Sequence, residues 1–167
     1  MTQRVSVVLS GGQTLHPDRQ ALEERLAALL AQDGQCDVLL VPHLYDLDAA
    51  GPSVAALREL SGDLVVLAWL YPRATHWILD RHGVSGRQGR TSLDEDAAPE
   101  SREAAAAADG KPVTAARALP DRTIYCLDLQ RHEEPEPYLN AIQQSTLGSV
   151  ATLSIHSKIP KEGRVPL

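Results

Sequence analysis

Apolar runs alternate with stretches of helical spacing along this chain, and that rhythm predicts its elements. The first run covers residues 4–9, where Val5, Val7, Val8 and Leu9 read as a buried strand. Ser10-Gly11-Gly12 breaks it. A helix follows, with Pro17 suited to its first turn and Asp18 favoured at the positive end of its dipole. Leu22, Leu26, Leu29 and Leu30 recur at helical spacing as one apolar face, and Gly34 supplies the stop.

The unit then repeats. A second strand spans 36–41, and a short helix opens at Pro52 with Val54, Leu57 and Leu60 inward and Gly62 after it. A third strand spans 63–69, and a helix over 73–81 ends at Gly83. A fourth strand spans 122–129 and a fourth helix 137–146, with Tyr138, Ala141 and Ile142 inward. A weaker fifth strand is read over 149–155. Strand followed by helix, repeated, is the mark of a parallel sheet, and near-continuous apolar strands imply helices on both faces. The expectation is one α/β domain over 1–167, with a mostly parallel sheet of four to five strands and a flavodoxin-like or similar doubly wound topology. Residues 85–120 break the rhythm, with Asp-Glu-Asp, Ala-Ala-Pro-Glu and five consecutive alanines, Ala104 to Ala108. They read as a flexible low-complexity insert, and 158–167 as a loose tail.

Composition narrows the classes. The chain has 167 residues, no Phe and 4% aromatic residues, so its core is aliphatic. A net charge of -6 argues against nucleic acid as a partner, which needs a basic face. No apolar run reaches the ~18 residues of a bilayer span, and no signal peptide is read, so a cytoplasmic protein without a membrane partner is expected. Cys36 and Cys126 sit in strand-like runs outside any Cys-x-x-Cys pair. They read as buried thiols, and no iron–sulfur cluster is expected within the chain.

Ligands of open α/β sheets bind beyond the carboxyl ends of the strands. His16, His43, His76, His132 and His156 each follow a strand, so five of the six histidines fall toward that edge. His82 instead closes a helix beside Gly83. Neutral imidazole ligates metals and exchanges protons near neutral pH. The competing reading is that polar residues simply collect in loops. His76 stands out, in the first turn of a helix with Asp80 four residues on, where a carboxylate could orient its ring. Alternatively, His76 packs locally and Asp80 pairs with Arg73 or Arg81. Ser10-Gly11-Gly12-Gln13-Thr14 offers amides to an anion, or is only a tight turn, and it fits neither a Walker A loop nor a dinucleotide fingerprint. No nucleophile elbow occurs. Glu133, Glu134 and Glu136 read as a solvated helix start.

The order of elements over 5–84 and 122–155 resembles the small class II chelatases, the sirohydrochlorin cobaltochelatase group. Pro52-Ser53-Val54-Ala55-Ala56-Leu57 resembles that family's helix after the second strand. In the family two histidines hold a metal over a tetrapyrrole. His76 falls at the second position; the first falls at Gly11 or Gly12, so one expected ligand is replaced by glycine. The resemblance implies His76 as metal ligand and proton acceptor, with His16 or His43 standing in for the missing ligand. Gly11, Gly12, Gln13, Tyr71 and Arg73 would face the bound molecule. It implies a divalent metal (cobalt, nickel or iron), a tetrapyrrole or other anionic small molecule, and a homodimer. Pro42-His43-Leu44-Tyr45-Asp46-Leu47, Trp69-Leu70-Tyr71-Pro72-Arg73 and Ile124-Tyr125-Cys126-Leu127-Asp128-Leu129 also resemble bacterial proteins that carry such a domain ahead of a ferredoxin-like module. That second likeness implies a non-catalytic accessory domain with a redox protein as partner.

Overall fold

The computed structural model describes residues 5–13, 16–95 and 121–155. Five parallel strands form one sheet: β1 (Val5–Ser10), β2 (Cys36–Val41), β3 (Leu64–Ala68), β4 (Arg87–Gln88) and β5 (Thr123–Asp128). Their order across the sheet is β2-β1-β3-β5-β4. The helices are α1 (Pro17–Asp33), α2 (Pro52–Glu59), α3 (Pro72–Arg81), α4 (Ser92–Glu95) and α5 (Glu136–Ile155), with a single 3-10 turn over Leu44–Asp46. This is the expected doubly wound, flavodoxin-like α/β fold.

Alternation along the strands divides the interior in two. Val7, Leu9, Val65, Leu67, Leu127 and Leu129 pack against Leu22, Leu26 and Leu30 of α1 and Tyr138, Ala141 and Ile142 of α5. On the opposite face Val8, Leu64, Val66, Ile124 and Cys126 meet Val54 and Leu57 of α2 and Ile78 and Leu79 of α3. β3 is buried on both faces along its whole length, which explains its unbroken apolar sequence. Gly34 and Gly83 end α1 and α3 with φ of 62° and 83°, a left-handed geometry that favours glycine. Burial pushes the Cys126 thiol up to about 12, so it behaves as a packed apolar group.

Two expectations are corrected. Residues 149–155 are the last part of α5 and not a fifth strand. No proline interrupts α5, and extending a helix adds one hydrogen bond per residue without a new nucleus. Gly148 alone does not offset that gain. The fifth strand is instead β4, inside the segment expected to be a flexible insert. The first part of that segment is docked. Ser85 and Gly86 are buried, Arg87 and Gly89 amides donate to the Arg122 and Ile124 carbonyls, and Leu93 enters the core. β4 is too short and polar to be read from periodicity. The remainder, 96–120, and the tail 158–167 lie outside the described residues.

Candidate functional site

Parallel strands share one carboxyl edge. β1 and β3 are neighbours, and the chain leaves them in opposite directions, β1 toward β2 and β3 toward β4 and β5. That is the switch point at which this architecture opens a crevice. The crevice is filled by the chain's own polar groups. Glu23, on α1, accepts through Oε1 from the Gly12 amide at 2.8 Å and from the Trp69 indole Nε1 at 2.6 Å. The Arg19 guanidinium lies 4.8 Å from the Trp69 ring centroid. A Cβ at Gly12 would stand 3.4 Å from both Glu23 Oε1 and Trp69 Cδ1, so glycine permits the close approach. The Gly11 amide donates to the Val41 carbonyl and buried Ser10 Oγ to the Pro42 carbonyl, tying the turn to β2. Gln13 is exposed.

The wiring continues to β5. Gln130 Nε2 donates to the Trp69 carbonyl, and the Gln130 amide donates to Asp128 Oδ1, both at 2.9 Å. Asp128 is buried, which raises its carboxyl above the usual range against the opposing effects of the Gln130 amide and nearby Arg131. The buried Tyr138 hydroxyl donates to the carbonyls of Asp128 and His132, each 3.1 Å away, and accepts from the His132 amide at 2.9 Å.

The histidines hold separate local posts. His16 is exposed at the N-cap of α1, 3.7 Å from Asp18. His43 is buried, caps the 3-10 turn by accepting from the Tyr45 amide at Nδ1, and stacks on the Tyr45 ring at 5.7 Å. Burial holds its pKa below the ordinary value, partly countered by Asp46. His132 meets the Tyr138 ring edge-on, and His82 caps α3 as expected. His156 lies outside the described residues. His76 Nε2 stands 2.9 Å from the Gly86 carbonyl, which can only accept, so Nε2 carries the proton and the lone pair is on Nδ1. The acceptor that orients His76 is therefore a backbone carbonyl, and Asp80 instead accepts from Ser85 Oγ at 2.6 Å. Among the described residues, no group of three or more His, Cys, Asp or Glu side chains is placed to hold a metal ion.

Tyr71 and Arg73 do come together. With Ala74 and Trp77 they line an open depression of about 360 Å³ at the start of α3, just past the end of β3. Tyr71 is 69% exposed and Trp77 59%, in a chain with few aromatic residues. The Arg81 guanidinium lies 5.6 Å from the Trp77 ring centroid. Residues Glu23, Trp69, Arg19 and Trp77 were not among the sequence candidates. The signal for Glu23 was a carboxylate beside Leu22 within the spacing 19, 22, 23, 26 and 30 that otherwise marks the buried face of α1. Trp77 was marked by following Arg73 at one helical turn.

No family model, curated protein or solved structure matches this chain. No helix among the described residues is long and apolar enough to cross a membrane.

Proposed function

We propose that this domain binds a flat, anionic ring compound of the tetrapyrrole class over the start of α3, as a binding module and not as a metal-inserting enzyme. The observation that carries the reading is the exposed Tyr71–Trp77 surface around Arg73 at the carboxyl end of β3. Large exposed aromatics suit a planar π-system by stacking, and the Arg81 guanidinium beside Trp77 suits its acidic substituents. An open depression suits a ligand lying across it better than one enclosed by it.

His76 is adjacent to Trp77 in sequence but is not among the residues that line the depression. Its Nε2–H is held by a carbonyl, the arrangement that orients metal-ligating histidines, and leaves Nδ1 as the nitrogen with a lone pair. Insertion requires more, since a free ion must be held while the pyrrole protons leave. Glycine at the first histidine position removes the second ligand that the chelatase resemblance calls for.

The test is a Soret-region titration with sirohydrochlorin, with and without cobalt. Saturable spectral shifts in both arms, without turnover to the cobalt complex, are expected. No shift in either arm contradicts binding; catalytic conversion contradicts the module reading.

A further inference from the structure

We infer that the Gly12 amide and the Trp69 indole form a carboxylate receptor that Glu23 fills from within, and that an incoming carboxylate ligand displaces Glu23. The inference goes beyond ring binding at α3 and does not depend on it.

The two donors come from the ends of adjacent strands, β1 and β3, and converge on one oxygen at 2.8 Å and 2.6 Å. Both are N–H groups, so the receptor takes an acceptor and rejects an ammonium. The donors sit on rigid elements. The Gly11 amide is tied to β2, and Trp69, only 8% exposed, has its carbonyl held by Gln130. The guest is a half-buried side chain with three rotatable bonds, so it can leave without moving the backbone. Arg19 lies one helical turn before Glu23 on α1, against Trp69, and supplies positive charge for an anion that replaces it. A Cβ at position 12 would meet Glu23 Oε1 and Trp69 Cδ1 at 3.4 Å, so the carboxylate reaches both donors closely because this position is glycine. The location is the switch point, where this architecture binds its ligands.

The experiment uses the full chain carrying Trp77→Phe, so that Trp69 is the sole tryptophan, with and without Glu23→Ala. Acetate is titrated at constant ionic strength against chloride and phosphate, reading Trp69 emission and thermal midpoint. With Glu23 removed, a saturable acetate-specific shift and a rise in midpoint are expected. With Glu23 present, the same acetate-specific shift is expected only at much higher acetate, because the tethered carboxylate competes for the same donors. Arg19→Gln added to the Glu23→Ala chain weakens acetate by about tenfold. A folded Glu23→Ala chain that ignores acetate, or that answers phosphate equally, overturns the inference. Should that chain fail to fold, Glu23→Gln keeps an acceptor but loses the charge. It is expected to respond to acetate, and indifference there is equally contrary.

Discussion

Trp69 and Trp77 stand eight residues apart and live in opposite conditions. Trp69 is packed into the core, its indole N–H bonded to Glu23, its carbonyl to Gln130 and its ring covered by Arg19. Trp77 lies on the surface of α3 beside Tyr71 and Arg73. The first ties β1, β3 and α1 together through the bond its indole makes to Glu23. The second contributes little to folding where it stands. A large exposed aromatic surface on a folded domain is the kind of feature that marks an interaction site. The difference separates a ring that helps build the carboxyl edge from one that presents most of its surface to solvent.

The sharpest way to break this comparison is to truncate each ring. Trp69→Ala is expected to cost about 3–5 kcal/mol of unfolding free energy, the usual range for a buried aromatic. Trp77→Ala should change it by less than about 0.5 kcal/mol. Urea unfolding of both variants checks this, and equal losses would erase the distinction. Next in size is Tyr138→Phe, which deprives the His132 amide and the Asp128 and His132 carbonyls of one shared partner. A loss of about 1–3 kcal/mol is expected in the same assay.

A smaller effect of opposite sign belongs to α3. Thr75 Oγ1 is the buried side-chain polar atom without a hydrogen-bond partner among the described residues. Thr75→Val preserves shape and removes that cost, so a gain of about 1 kcal/mol is expected. No gain would mean the hydroxyl is satisfied in solution.

The pH dependence gives the finest test. Burial lowers the His43 pKa, so between that value and the ordinary 6.5 the unfolded chain binds more protons. Its contribution is complete above about pH 6.5 and is lost as pH falls through that window. His43→Asn keeps an acceptor for the Tyr45 amide and should flatten the loss. Asp128 acts in the other sense. Its raised pKa means stability present below about pH 3.8 is lost as pH rises through the folded value. Asp128→Asn should therefore raise the thermal midpoint at pH 7 and leave it nearly unchanged at pH 3.

Much of the fold was legible because its signals are local. Cys36–Val41 is a continuous apolar run but for Asp37, and Pro17, Pro52, Gly34 and Gly83 punctuate the helices where the spacing says they should. The misplaced fifth strand failed where locality fails. Residues 149–155 carry β-prone side chains, yet they extend an existing helix, whereas the two residues of β4 join the sheet by docking on β5. The site was less legible for the same reason. Tyr71 and Arg73 were placed by their position after a strand, which pattern can give. Glu23 reaching Gly12 and Trp69 is a meeting of three segments, with Glu23 and Trp69 46 residues apart, and no pattern along the chain encodes it.

The most direct test of the central claim is the calorimetric affinity for sirohydrochlorin of the unmodified chain and of Trp77→Ala. Loss of one stacking face should weaken binding by about tenfold or more while the unfolding midpoint stays where it was. Unchanged affinity in a folded Trp77→Ala chain would contradict the account, because the exposed aromatic surface would then not be where the ring rests.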